Sequence, residues 1–187
     1  KSIRLFGDKI SAKNLVQDLN IPTIPGYQGE NQDLEHLLAK AQEVGYPLMV
    51  KAAAGGGGRG LKIVTGADGA RTGIEAAQRE GLSAFGSAKV FLEKYIARAK
   101  HIEVQIFGDA SGHVFHLFER DCSVQRRHQK VIEESPGASL SESVRQKLLD
   151  AAVRIARKAD YRGAGTVEFL VDGDEFYFME MNTRLQV

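Results

Sequence analysis

Leu48-Met49-Val50-Lys51-Ala52-Ala53-Ala54-Gly55-Gly56-Gly57-Gly58-Arg59-Gly60-Leu61-Lys62-Ile63-Val64 reads as two strands joined across a glycine loop. The lead-in is apolar and ends at Lys51. The lead-out, Leu61 to Val64, alternates and is rich in β-branched residues, so it opens a strand and not a helix. That excludes a dinucleotide fingerprint: Gly55 to Gly60 fits G-x-G-x-x-G, but the fingerprint must open a helix. A P-loop is excluded as well, because Leu61 and Lys62 follow Gly60 where Lys and Ser or Thr are needed. Two readings remain. The uncovered N–H groups of Gly55, Gly56, Gly57 and Gly58 can close over phosphate oxygens between Lys51 and Arg59, or the glycines form a bare hairpin tip. The glycines alone favour neither.

Upstream, Asp33 caps a helix with Leu34, Leu37, Leu38, Ala41 and Val44, which Gly45 stops. Before it, Pro22 and Pro25 mark a linker. They end a lead-in helix, 1–21, with the stripe Ala12, Leu15, Val16 and Leu19. Lys9 opens that helix, a poor place for a cation beside the dipole, and by itself reads as a solvated lysine. Downstream come a helix over about Ala67 to Leu82, interrupted at Gly69 and Gly73, and a short strand, Lys89 to Leu92. Residues 22–92 are thus expected to form a small α/β lobe. Glu93-Lys94-Tyr95-Ile96 then leaves the last strand, either as backbone that binds a purine edge or as an ordinary connector.

Residues 93–187 read as a larger lobe. Ile102, Val104 and Ile106 alternate with His101, Glu103 and Gln105, which share a polar face and are expected to be solvated. Gly108 to Gly112 turns the chain, and His113 to Glu119 returns. Arg120, Arg126, Arg127, His128 and Lys130 follow within one short segment, either an anion site or a surface patch balanced by Glu133 and Glu134. Ser139 and Glu142 form a capping box for a helix carrying Val144, Leu148, Ala152 and Ile155, read as structural.

Two apolar strands, Thr166 to Val171 and Phe176 to Met181, complete the lobe. With a three-residue loop at Gly173 to Glu175, Glu168 lies opposite Glu180; a two-residue loop separates them onto opposite faces. Facing carboxylates in a buried sheet repel and need a proton or a divalent cation. The surrounding apolar residues favour a metal pair over two acids at a wet rim. Asn182 and Arg184 continue on the same face.

The whole chain is 187 residues, 43% hydrophobic and 26% charged, enough for a real core as one domain or two lobes. A net charge of +1 points to neither a nucleic-acid nor a membrane partner, and no apolar run reaches a membrane span. Cys122 is the one cysteine, so an internal disulfide is excluded. Starting at Lys1 and stopping at Val187, the chain reads as an excised segment.

Gly-Asp-Lys at 7–9, the 50–60 glycine stretch, Glu-Lys-Tyr-Ile at 93–96 and His-Ile-Glu-Val-Gln at 101–105 together resemble the biotin carboxylase component of biotin-dependent carboxylases. So do Glu-Arg-Asp-Cys-Ser-Val-Gln-Arg-Arg-His-Gln-Lys at 119–130 and Met-Glu-Met-Asn-Thr-Arg-Leu-Gln-Val at 179–187. The match runs in order along essentially the whole chain. It implies an α+β ATP-grasp fold whose two lobes close over ATP. It also implies a ligase reaction in which ATP phosphorylates bicarbonate and carboxyphosphate delivers CO₂ to N1′ of biotin. By resemblance, Lys9, Lys51 and His101 contact the nucleotide, and Gly55 to Gly58 cover its phosphates. Glu93, Lys94 and Ile96 frame the adenine, while Gln125 and His128 line the site. Glu168 and Glu180 hold Mg²⁺ or Mn²⁺ with Asn182 beside them. Lys130 and Arg184 face the γ-phosphate and bicarbonate, and Gln186 and Val187 belong to the bicarbonate pocket.

In that family a glutamate, the bicarbonate base, follows Gln-Val, and a biotin-side arginine lies further on. This segment is therefore expected to be inactive alone. Biotin is expected on a separate carrier domain, with a carboxyltransferase choosing the final acceptor, in the cytoplasm or the mitochondrial matrix. The alternatives are another ATP-grasp ligase, of the carboxylate-amine or carbamoyl-phosphate kind, and a non-catalytic ATP-binding module.

Overall fold

The computed structural model describes residue 6 and residues 9–54, 60–126 and 129–186, without the side chains of residues 9 and 10. In chain order the elements are α1 (Lys9–Asp18), β1 (Gly26–Tyr27), α2 (Leu34–Val44), β2 (Leu48–Ala52), β3 (Leu61–Val64), α3 (Ala67–Phe85) and β4 (Val90–Lys94). Then follow β5 (Lys100–Gly108), β6 (Val114–Arg126), β7 (Gln129–Glu134), α4 (Glu142–Lys158), β8 (Gly163–Asp172) and β9 (Glu175–Asn182). Two compact units result: Ile24–Ala97, and the described residues of Lys1–Thr23 with Arg98–Val187.

The smaller unit is an antiparallel sheet in the order β1-β4-β2-β3 with α2 and α3. Alternation makes the sheet one-sided. Leu48, Val50, Val90 and Leu92 pack with Leu37 and Ile74 in one core. Met49 and Lys51 stand across from Glu93 and Phe91 on the other face. Asp33, in extended backbone, caps α2 by accepting from the N–H groups of Glu35 and His36, and Gly45 ends the helix at φ 77°. α3 runs unbroken through Gly69 and Gly73, against the expected interruption. Packing explains the second glycine: a Cβ on Gly73 would stand 2.6 Å from Val64 Cγ2, so only a bare backbone lets the helix lie that close to β3. β4 also outlasts its expected end at Leu92. Glu93 and Lys94 are its last residues, paired through Met49↔Glu93 and Leu48↔Lys94, and are not a connector.

The larger unit is an antiparallel sheet in the order β7-β6-β5-β8-β9. Ile102, Val104, Ile106, Val167, Phe169 and Phe178 form its apolar face, packed on Ala12 and Val16 of α1 and on Leu148 and Ile155 of α4. The lead-in helix thus belongs to this unit. α4 is capped by Ser141, whose hydroxyl accepts from Val144 N–H at 3.3 Å, and not by Ser139, which instead donates to Asp121 Oδ2 at 3.2 Å. Cross-strand pairing carries β6 far past Glu119, so Arg120 and Arg126 lie on β6 and Lys130 on β7, its antiparallel partner.

The β8–β9 hairpin departs from the expected loop. Asp172 pairs with Glu175, so the turn holds two residues, Gly173 and Asp174. The pairing then shifts: Phe169 faces Phe178, but Glu168 faces Glu180, leaving Met179 as an extra residue in β9. This bulge reverses the parity of the strand. The two glutamates end up on one face despite the short turn.

Candidate functional site

The open face of the larger sheet collects ionic side chains because its strands alternate against the core. His101, Glu103 and Gln105 of β5 share it with Arg120 of β6, Lys130 of β7 and Glu168 of β8. They are not a solvated face: Glu103 is fully buried and Glu168 nearly so. Such acids must be paired. Arg120 Nε donates to Glu103 Oε1 at 2.8 Å, a second guanidinium N–H joins the same oxygen, and the Lys130 ammonium takes Glu103 Oε2.

Lys130 also donates to Glu168 Oε1 at 3.0 Å. That oxygen accepts further from Asn182 Nδ2 at 2.7 Å and Gln186 Nε2 at 3.3 Å, while Gln186 Oε1 accepts from Lys130 at 3.2 Å. His101 Nε2 holds Glu168 Oε2 at 2.7 Å. Burial would raise the Glu168 carboxyl, but the His101 hydrogen bond and the Lys130 charge outweigh it and bring it to about 2. Burial likewise works against the Lys130 charge, and the paired carboxylates still raise it above its ordinary value.

Gln125 orients the histidine. Its Nε2 donates to the Cys122 carbonyl at 2.8 Å and lies 2.8 Å from His101 Nδ1. A carbonyl only accepts, so this end of the amide is the NH₂, and Nδ1 is the acceptor. The Nε2 proton then points at Glu168. Burial pushes the Cys122 thiol up to about 12, so it is an uncharged packing residue.

Glu180, half-buried opposite Glu168, has no hydrogen-bond or ion-pair partner for its carboxylate among the described residues. The donor set fits a hard divalent cation: two carboxylates on one face, with Asn182 continuing that face and its Nδ2 already on Glu168 Oε1. His101, Glu103 and Glu168 also bring ligand atoms within 4.8 Å of one another. There, however, Lys130 and Arg120 already meet the negative charge, so the Glu168–Glu180 side suits a cation better.

His101, Gln125, Lys130, Glu168, Asn182 and Gln186 are thus one connected network. Arg184 follows β9, is exposed, and donates to its neighbour's Leu185 carbonyl at 3.3 Å. In the smaller unit, Lys51 Nζ pairs with Glu93 at 2.6 Å and lies 5.7 Å from the Phe91 ring centroid, and Lys94 Nζ donates to the Tyr46 carbonyl at 2.9 Å. Lys94 and Tyr95 spend their N–H groups on the Pro25 and Pro47 carbonyls, just before Ile96. The Lys9 side chain, Gly55 to Gly58, His128 and Val187 lie outside the described residues. Sequence reasoning took Glu103 and Gln105 for a solvated face and Arg120 for one member of a basic run, and missed that they meet. The signal was the alternation that put Glu103 and Gln105 beside His101, and its reading as wet was the error.

Residues 8–187 match the family model described as carbamoyl-phosphate synthase L chain, ATP binding domain. The chain is 52% identical, over its full length and 26% of the relative's, to the mitochondrial methylcrotonoyl-CoA carboxylase subunit alpha of Arabidopsis thaliana. A biotin carboxylase–β,γ-ATP complex from Campylobacter jejuni superposes with a TM-score of 0.94 at 48% identity, over all of this chain and 42% of that one. The biotin carboxylase domain of Hydrogenobacter thermophilus 2-oxoglutarate carboxylase, in complex with MgADP, ADP and bicarbonate, gives 0.92 at 44% identity, over 99% of this chain and 41% of that one. The chain therefore spans between a quarter and about two fifths of these proteins. With its two sheets and packed helices it has the expected α+β ATP-grasp fold, as its likeness to these biotin carboxylase structures shows, and it belongs to the carbamoyl-phosphate synthase L chain ATP-binding-domain family.

Proposed function

We propose that this chain handles ATP and bicarbonate within a longer biotin carboxylase, supporting carboxyphosphate formation and hence carboxylation of biotin on a carrier domain. The observation that carries the reading is the facing pair Glu168 and Glu180, beside Lys130 on an open polar sheet face. Bound there, a divalent cation would screen the phosphate oxygens and draw charge from the breaking bond. Glu168 and Glu180 would hold it, with Asn182 beside them. Lys130, kept cationic by Glu103 and Glu168, meets charge developing on a transferring phosphoryl oxygen. Gln186 and Arg184 orient bicarbonate. His101 and Gln125 form a fixed wall for the nucleotide. Lys51, steadied by Glu93, and the Gly55 to Gly58 amides take the remaining phosphate charge, with Lys9, His128 and Val187 in their family roles. Glu93, Lys94 and Ile96 frame the adenine.

Glu180→Gln in the intact parent tests this. Bicarbonate-dependent ATP cleavage should fall by about 10²-fold or more, the scale for losing one electrostatic group of a transition state, while nucleotide binding changes far less. Cleavage with an unchanged divalent-cation requirement would refute the metal pair.

A further inference from the structure

Glu119 and Arg120 are neighbours on β6 and point to opposite faces, as their partners Val104 and Glu103 show. Arg120 holds Glu103 on the polar face. Glu119 enters the helix side, where its side chain is fully buried. Its Oε1 accepts from Gly137 N–H at 3.1 Å and Arg145 Nε at 2.9 Å, and its backbone carbonyl accepts from Ser135 Oγ at 2.9 Å. Arg145 closes the loop by donating to the Gly137 carbonyl at 3.1 Å. Glu119 Oε2 is buried with no partner among the described residues. A buried ion pair so incompletely satisfied is a poor device for stability alone, since apolar replacements commonly serve as well.

What it joins is specific. Ser135 to Gly137 directly follow β7, which carries Lys130, and Arg145 lies in the first turns of α4. The β6–β7 ladder shifts between Asp121 and Val124 and again between Val124 and Gln125. A ladder broken in this way sets its own register weakly. We propose that Glu119 is a positioning residue for Lys130. Its clasp on Gly137 and Arg145 fixes the end of β7 against β6, and so sets where the ammonium stands between Glu103 and Glu168. The kinetic part of this inference rests on the function proposed above.

The test uses the intact parent with E119Q, which removes the charge, and R145M, which removes its partner. Each should lower kcat for bicarbonate-dependent ATP cleavage by about 10- to 10²-fold, the cost of a small misplacement, with KM for ATP within about twofold. The double variant should be no worse than either single, since both break one device. Amide exchange over residues 130–134 should quicken about tenfold in each, with β8 unchanged. Wild-type kcat with unchanged β7 exchange overturns the proposal, as does quickening spread equally over β8 and α4. Should E119Q fail to fold, R145M decides by the same two readouts. A wild-type parent that cleaves no ATP would sink the functional reading, and β7 exchange would still decide the clasp.

Discussion

At Glu168, four donors converge on one buried carboxylate, and the pH dependence of stability should report it. Its folded value of about 2 lies below the ordinary 4.5, so its contribution is complete above 4.5 and is lost as pH falls toward 2. The difference corresponds to about 3 kcal/mol. Urea titrations of the chain between pH 5 and 2 should show this loss, and Glu168→Gln should flatten the curve in that window. An equally steep curve in the variant would assign the dependence elsewhere. Lys130 gives a second expectation. Lys130→Met leaves Glu103 and Glu168, paired directly across β5 and β8, without the ammonium that bonds both. Breaking a buried pair from one side costs about 3–5 kcal/mol. Adding Glu168→Gln to that variant should recover part of the loss, which a urea midpoint would show.

Among elements, α3 shows what patterning carries and what it hides. Gly69 and Gly73 look like interruptions because glycine is a weak helix former, yet Gly73 is the contact point with Val64. Gly73→Val should therefore destabilise the smaller unit by about 1–3 kcal/mol, the usual range for overpacking. No shift in the thermal midpoint would mean that β3 yields freely. The Asp33 cap and the alternation of Ile102, Val104 and Ile106 were legible because they depend on neighbours in sequence. Ser139 was mistaken for the cap of α4 because it has Glu142 three residues on, whereas Ser141, the residue that caps the helix, has Val144 there and makes only half of the box. Glu103 was misread because its cations, Arg120 and Lys130, arrive from other strands. The long motifs at 119–130 and 179–187 pointed to the family, but not to the shifted antiparallel pairing of β6 with β7.

For the whole molecule, the two units have separate cores, one around Leu37 and Ile74, the other around Leu148 and Phe169. Leu37→Ala should accelerate amide exchange within 24–97 and Ile155→Ala within 98–186, each by the equivalent of about 2–5 kcal/mol. Equal acceleration in both units from either change would show a single cooperative body. Across the larger sheet, Met179 acts like an inserted letter that changes the reading frame of β9. Upstream of it, Phe176 and Phe178 obey the frame of the core; downstream, Glu180 and Asn182 obey the frame of the open face. A regular ladder that paired Met179 in place of the bulge would force a choice between burying the aromatics and aligning the acids. Lengthening the Gly173–Asp174 turn by one residue would restore the acids, with Tyr177 then turned to the core in place of Phe178. One surplus residue lets the two halves of a strand answer to different demands.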